Sequence, residues 1–138
     1  MTARTIRIQQ GVMLLEALIG ILIFSIGILA LLGMQAAAMR ATIDAKYRSE
    51  AAFLANEIIG TMWVDRANLA SYATASCSGY TECNAWLGRL QAKLPNATGA
   101  NVPTIDVAGQ QATVTIKWQR PGDSTVSQHI AVAQINNS

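Results

Sequence analysis

Few side chains in this 138-residue chain are placed to do chemistry, and Glu16 makes the strongest demand. It is the only charged residue among the 23 from Val12 to Met34. A carboxylate at the centre of a membrane segment costs about 2.5–3.5 kcal/mol even on the mildest insertion scales, so such a charge is usually retained for a partner. Two readings fit. Only four residues into the apolar run, the carboxylate can sit at headgroup level, where its cost is small. Alternatively, the chain is cut between Gly11 and Val12, which makes Val12 a free amine and Glu16 the fifth residue of the product. In a helix packed beside copies of itself, that carboxylate can neutralise a neighbour's amine.

The remaining reactive residues form no catalytic set. Cys77 and Cys83 enclose only five residues, and with no other cysteine and one distant histidine they cannot frame a zinc site. The histidine, His129, falls between Gln128 and Ile130 in a strand-like stretch and is expected to be an exposed strand residue. No glycine-rich phosphate loop or metal-ligand spacing is present. The sequence therefore predicts no enzymatic activity, metal or cofactor. A formal net charge of +2 is too small to suggest nucleic-acid binding by bulk electrostatics.

The elements that position Glu16 follow from composition. Hydrophobic residues make up 51% of the chain and charged ones 13%, which excludes a disordered tail, and the apolar excess sits between Val12 and Met34. A helix over those residues would rise about 35 Å, enough to cross a hydrocarbon core of about 30 Å. It is longer than the apolar core of an ordinary secretory signal. The preceding stretch, Met1 to Gly11, carries Arg4 and Arg7 and no acid. By the positive-inside rule these arginines stay in the cytoplasm and everything after Met34 faces outward.

Basic leader, Gly11, the hydrophobic Val12-Met13-Leu14-Leu15, Glu16 and an uninterrupted apolar helix together resemble the class III signal of type IV pilins and of the pseudopilins of type II secretion. The resemblance covers about residues 9–40. It implies that a prepilin peptidase cuts between Gly11 and Val12 and then methylates the amine of Val12, and that Glu16 governs recruitment and register in a filament. Val12 stands where most members carry phenylalanine, and Gly33 where many major pilins have a helix-breaking proline. The run Ser25 to Gln35 is similar to that of PilV-type minor pilins, the type IV pilus modification proteins. Ala52 to Ile59 followed by Arg66-Ala67-Asn68 resembles them more loosely, with Trp63-Val64-Asp65 interrupting the pattern.

The implied function is that of a minor pilin acting in the initiation, assembly or tip complex of a type IV pilus. Its partners would be other minor pilins, the major pilin, the peptidase and, before assembly, inner-membrane lipid, with no nucleic acid. The implied location is a single pass through a bacterial inner membrane with the carboxyl-terminal domain in the periplasm, then the pilus. Two alternatives share parts of this reading: a minor pseudopilin of type II secretion, and an envelope binding protein or adhesin merely tethered by its helix.

The rest of the chain predicts an α+β fold in which a long amino-terminal helix packs against a small antiparallel sheet. It divides into a leader over 1–11, a spanning helix over 12–34 and an outer domain over 35–138. From Gln35 to about Ala70 a helical stripe of Met39, Ile43, Tyr47, Ala51, Leu54, Ile58 and Met62 recurs at intervals of three and four and reads as core. Asp44, Arg48, Glu50 and Arg66 lie off it, and Arg40 can pair with Asp44 one turn on. Ala112, Val114, Ile116 and Trp118 alternate with polar residues and define a strand. Arg120-Pro121-Gly122-Asp123 turns it into a return strand over Val126 to Ile135, and Val102 to Val107, a shorter candidate strand interrupted by Pro103 and therefore at an edge or beginning late at Thr104, precedes Gly109. Between helix and sheet, a short helix at about Cys83 to Leu94 carries Trp86, Leu87, Leu90 and Leu94. Cys77 and Cys83, facing an oxidising compartment, are expected to form a disulfide worth about 2 kcal/mol on the loop-closure estimate.

Overall fold

A computed structural model describes the chain from residue 9 to residue 136, with side chains from residue 11 onward. Arg4, Arg7 and most of the 1–11 leader lie outside the described residues. Helix α1 (Gln9–Val64) contains no proline and carries the whole apolar run. Internal contacts divide the chain into two units, one up to Ile43 and one from Asp44.

The first unit is a helix without a cover. Every side chain from Gly11 to Ile43 is exposed, and the segment is long and apolar enough to cross a membrane. Met39 and Ile43, expected in the core stripe, belong here and are 67% and 42% exposed. The buried stripe begins later, because the elements that cover α1 do so only within the second unit.

In that unit α1 buries Ala51, Leu54, Ala55, Ile58 and Met62, with Tyr47 partly covered. Its cover consists of α2 (Thr74–Cys77), α3 (Thr81–Lys93) and the strands β1 (Thr104–Ala108), β2 (Gln111–Gln119) and β3 (Val126–Gln134). The sheet is an antiparallel meander in the order β1-β2-β3. Period-two alternation puts Ala112, Val114, Ile116 and Trp118 of β2 into the core, all buried, while Thr113, Thr115 and Lys117 face the other way. An α+β architecture, a long helix against a small antiparallel sheet, is thus what the chain adopts.

Both turns use glycines in the left-handed region, Gly109 at φ 63° and Gly122 at φ 79°. The second is closed by the Asp123 amide donating to the Arg120 carbonyl at 3.1 Å. Arg120 then joins the hairpin to α1: its guanidinium lies 2.6 Å from Asp123 and 3.0 Å from Asp44. The Asp44 carboxylate therefore pairs with the hairpin and not with Arg40 one turn before it. At β3, an edge strand, the inward row of Ser127, His129, Ala131 and Ala133 is half-buried, and Val126, Ile130 and Val132 are exposed on the outer row. His129 belongs to the inward row, opposite Ile116, and not to the exposed one.

The helix stops six residues earlier than the expected Ala70. Asp65 leaves helical geometry at φ −108°, ψ 37°, and a 3-10 segment, Arg66–Tyr72, follows. The reason is local competition. The Asp65 carboxylate accepts hydrogen bonds from side chains further along the chain, giving the backbone an alternative to another helical turn.

Candidate functional site

The residues singled out for assembly lie on the first unit's helix. Val12 and Glu16 are one turn apart on the same face, where side chains four residues apart come within about 6 Å at Cβ. Helical side chains lean toward the amino terminus, so Glu16 overlies the turn that holds Val12. Both are exposed, and among the described side chains their neighbours Met13, Leu14, Leu15, Leu18 and Ile19 are apolar and exposed too. The Gly11–Val12 bond lies inside α1, at a residue of low helix propensity, Gly11. A helix start made at Val12 would place the positive end of the peptide dipoles beside the carboxylate of Glu16, a favourable arrangement.

The second unit holds the disulfide. Cys77, at the end of α2, and Cys83, in the first turn of α3, are bonded with Cα atoms 5.1 Å apart, and both are buried. α3 itself is fixed to α1 by Trp86, whose indole N–H donates to the Leu54 carbonyl at 2.9 Å, and by ion pairs from Arg89 to Glu57 and Lys93 to Glu50 at 2.6 and 2.5 Å.

One cluster has no counterpart among the expected site residues. The Asp65 carboxylate accepts from Asn68 Nδ2 at 2.8 Å, from the Tyr72 hydroxyl at 3.0 Å and from the Tyr80 hydroxyl, and the two tyrosine rings meet edge to face. The sequence signal was present in Asp65 and Asn68, three apart at a break in the helical stripe. The tyrosines come from outside that local window. The Tyr80 bond and the Asn68 bond hold the Asp65 carboxyl below the usual carboxylate range. Burial and the bond to Asp65 push Tyr72 well above its ordinary value, and the bond to Asp65 raises Tyr80.

These shifts give the domain a pH dependence at both ends. Unfolded tyrosines release their protons near pH 10 while the folded ones retain theirs, so this contribution is complete below about pH 10 and is lost as pH rises through the folded values. Asp65 contributes in the opposite range: its share is complete above about pH 4 and lost as pH falls through the depressed folded value. The unfolding midpoint of the second unit is expected to fall steeply above pH 10, and Tyr80→Phe to flatten that fall. Parallel alkaline limbs for the two proteins would show that the cluster does not carry it.

Compared with known proteins, the chain matches no family model, no curated sequence and no solved structure.

Proposed function

We propose that this chain is the precursor of a type IV pilin-like filament subunit, of the minor-pilin kind that starts or tips a pilus. The observation that carries the reading is Glu16: a lone carboxylate on an uncovered apolar helix, one turn after Val12 and directly downstream of Gly11. A helix that merely anchors a domain has no use for a charge there; a helix that packs beside copies of itself does.

The steps assigned to the chain are physical ones. It is inserted with the 12–34 segment in the inner membrane, Arg4 and Arg7 in the cytoplasm and the second unit in the periplasm. Hydrolysis of the Gly11–Val12 bond by the prepilin peptidase releases 1–11 and exposes the Val12 amine, which the same enzyme then methylates. Cleavage also removes Arg4 and Arg7, taking Lys plus Arg from 10 to 8 against 8 Asp plus Glu, so the mature side chains carry no formal net charge and like subunits pack without mutual repulsion. On extraction from the bilayer the apolar surface passes into the filament core, among other minor pilins and the major pilin. There Glu16 meets the amine of an adjacent subunit, so that neither charge is stranded in an apolar setting.

The test is the intact mass and amino-terminal sequence of the chain from cells with and without the prepilin peptidase. The expected result is a species beginning at Val12 only when the peptidase is present. An uncut chain in both would make the helix a plain anchor and overturn the filament reading.

A further inference from the structure

The segment from Thr74 to Tyr80 makes two side-chain ties to the rest of the domain, and both lie next to one covalent bond. The first is on β1. Ile105 turns its backbone away from β2, toward the open side of the sheet, and there Thr74 closes both of its groups: the Ile105 N–H donates to Thr74 Oγ1 at 2.7 Å, and the Thr74 hydroxyl donates to the Ile105 carbonyl at 2.9 Å. One side chain thus caps the second residue of a five-residue edge strand. The second tie is Tyr80 on the Asp65 carboxylate, where α1 ends.

Thr74 opens α2, a helix of four residues that ends at Cys77. A single turn has no independent stability, because the first turn of a helix is unfavourable to form. Tyr80 lies inside the loop from Cys77 to Cys83, on a backbone held by bonds back to Ser76 and Cys77. The segment is held between two fixed points, Tyr72, fully buried two residues before Thr74, and Cys83, to whose helix Tyr80 is joined by the Asn84 amide donating to its carbonyl at 2.8 Å. Cys83 is fully buried, on α3, in the core that holds Trp86 and Leu90, beneath the Tyr72 carbonyl. Cys77 is the less enclosed partner, at 7% exposure.

We propose that the Cys77–Cys83 bridge is a redox-sensitive lock: oxidised, it holds Thr74 on the β1 edge and Tyr80 on Asp65, and reduced, it releases both and uncovers the Ile105 backbone groups on that edge. The inference does not depend on the filament reading. Reduction is a two-electron thiol–disulfide exchange. A dithiol's thiolate attacks Sγ of Cys77, expelling the Cys83 thiolate, which takes up a proton. The second thiol of the dithiol then displaces Cys77 as a thiol and closes the reductant into its cyclic disulfide. A loop this short contributes only a small share of a domain's stability, so the opening is local and the β2–β3 ladder stays intact. An unoxidised chain is thereby marked by uncovered backbone groups on a strand edge, a feature that soluble folds protect.

The test is hydrogen exchange read by NMR on the full chain in detergent micelles, with and without dithiothreitol. On reduction the Ile105 amide is expected to exchange at least about tenfold faster while the β2–β3 amides keep their rates. The double substitution Cys77→Ser with Cys83→Ser should reproduce this without reductant and return the Tyr80 titration toward its ordinary value. Thr74→Val in the oxidised chain should free Ile105 alone, leaving Tyr80 on Asp65. An unchanged Ile105 rate after reduction would overturn the lock, and so would equal acceleration of the β2–β3 amides, which would make the bridge a general staple of the domain.

Discussion

Replacing Trp86 with alanine lowers the unfolding free energy of the second unit by about 3–5 kcal/mol, the range found for removing a large aromatic side chain from a packed core. Trp86 is 1% exposed and reaches from α3 to the Leu54 carbonyl of α1, so the substitution removes a large apolar volume and a buried hydrogen bond together. Nothing nearby can compensate. The other links between the two helices, Arg89 to Glu57 and Lys93 to Glu50, are solvated, with the basic side chains 49% and 45% exposed, and pairs of that kind contribute about 0–1 kcal/mol each. For a domain of ordinary stability, about 5–15 kcal/mol, such a loss is a substantial share of the total. Trp86→Phe, which retains most of the volume and gives up the N–H, should cost less, with about 1 kcal/mol of its cost from the lost hydrogen bond. Urea unfolding followed through the fluorescence of buried Trp118 measures both; a loss under about 1 kcal/mol for Trp86→Ala would mean that the ion pairs, not the indole, dock α3.

The parts of this fold that local patterns describe were readable from the residues alone. Strict alternation from Ala112 to Gln119 identified β2 and its buried face, because a strand with one covered side leaves a period of two in the sequence. The Pro121-Gly122 pair gave the turn, since only a residue that accepts positive φ suits the third position. The expected disulfide is formed. What local patterns do not carry is partnership across the chain. The stripe through Met39 and Ile43 has the same spacing as the buried stretch after it, and only the extent of the covering elements separates the two. Arg40 is correctly spaced for Asp44, yet the carboxylate is taken by Arg120, 76 positions further on, because the hairpin turn delivers it there. The end of α1 was misplaced for the same reason: two of the donors that hold Asp65 out of the helix, Tyr72 and Tyr80, lie 7 and 15 residues away. Thr74 sealing Ile105 is a contact over 31 residues with no periodic signature. The long apolar helix that carries Glu16 was legible because it needs only composition and spacing along a single element.

On the proposed filament function, Glu16→Ala is expected to abolish or sharply reduce incorporation into filaments while leaving the precursor in the membrane. The two readouts oppose each other, which makes the variant informative. Removing the charge relieves an insertion cost of about 2.5–3.5 kcal/mol at mid-bilayer, so on lipid energetics alone the variant is the better membrane helix. A chain that served only as an anchor would tolerate it or gain from it. In a filament core the balance reverses, because the Val12 amine of a neighbouring subunit then has no carboxylate, and an uncompensated buried charge costs about 3–5 kcal/mol. That is a factor of more than a hundred in the assembly equilibrium at each junction. Glu16→Gln separates charge from shape, since it keeps the length and hydrogen-bonding capacity and should fail nearly as badly if neutralisation is the role. Comparing the amount of each variant in sheared filaments with that in the membrane fraction, with cleavage at Gly11 verified for each, makes the distinction. Normal filament incorporation of a cleaved Glu16→Ala chain would leave the carboxylate at headgroup level and remove the physical basis for its part in assembly.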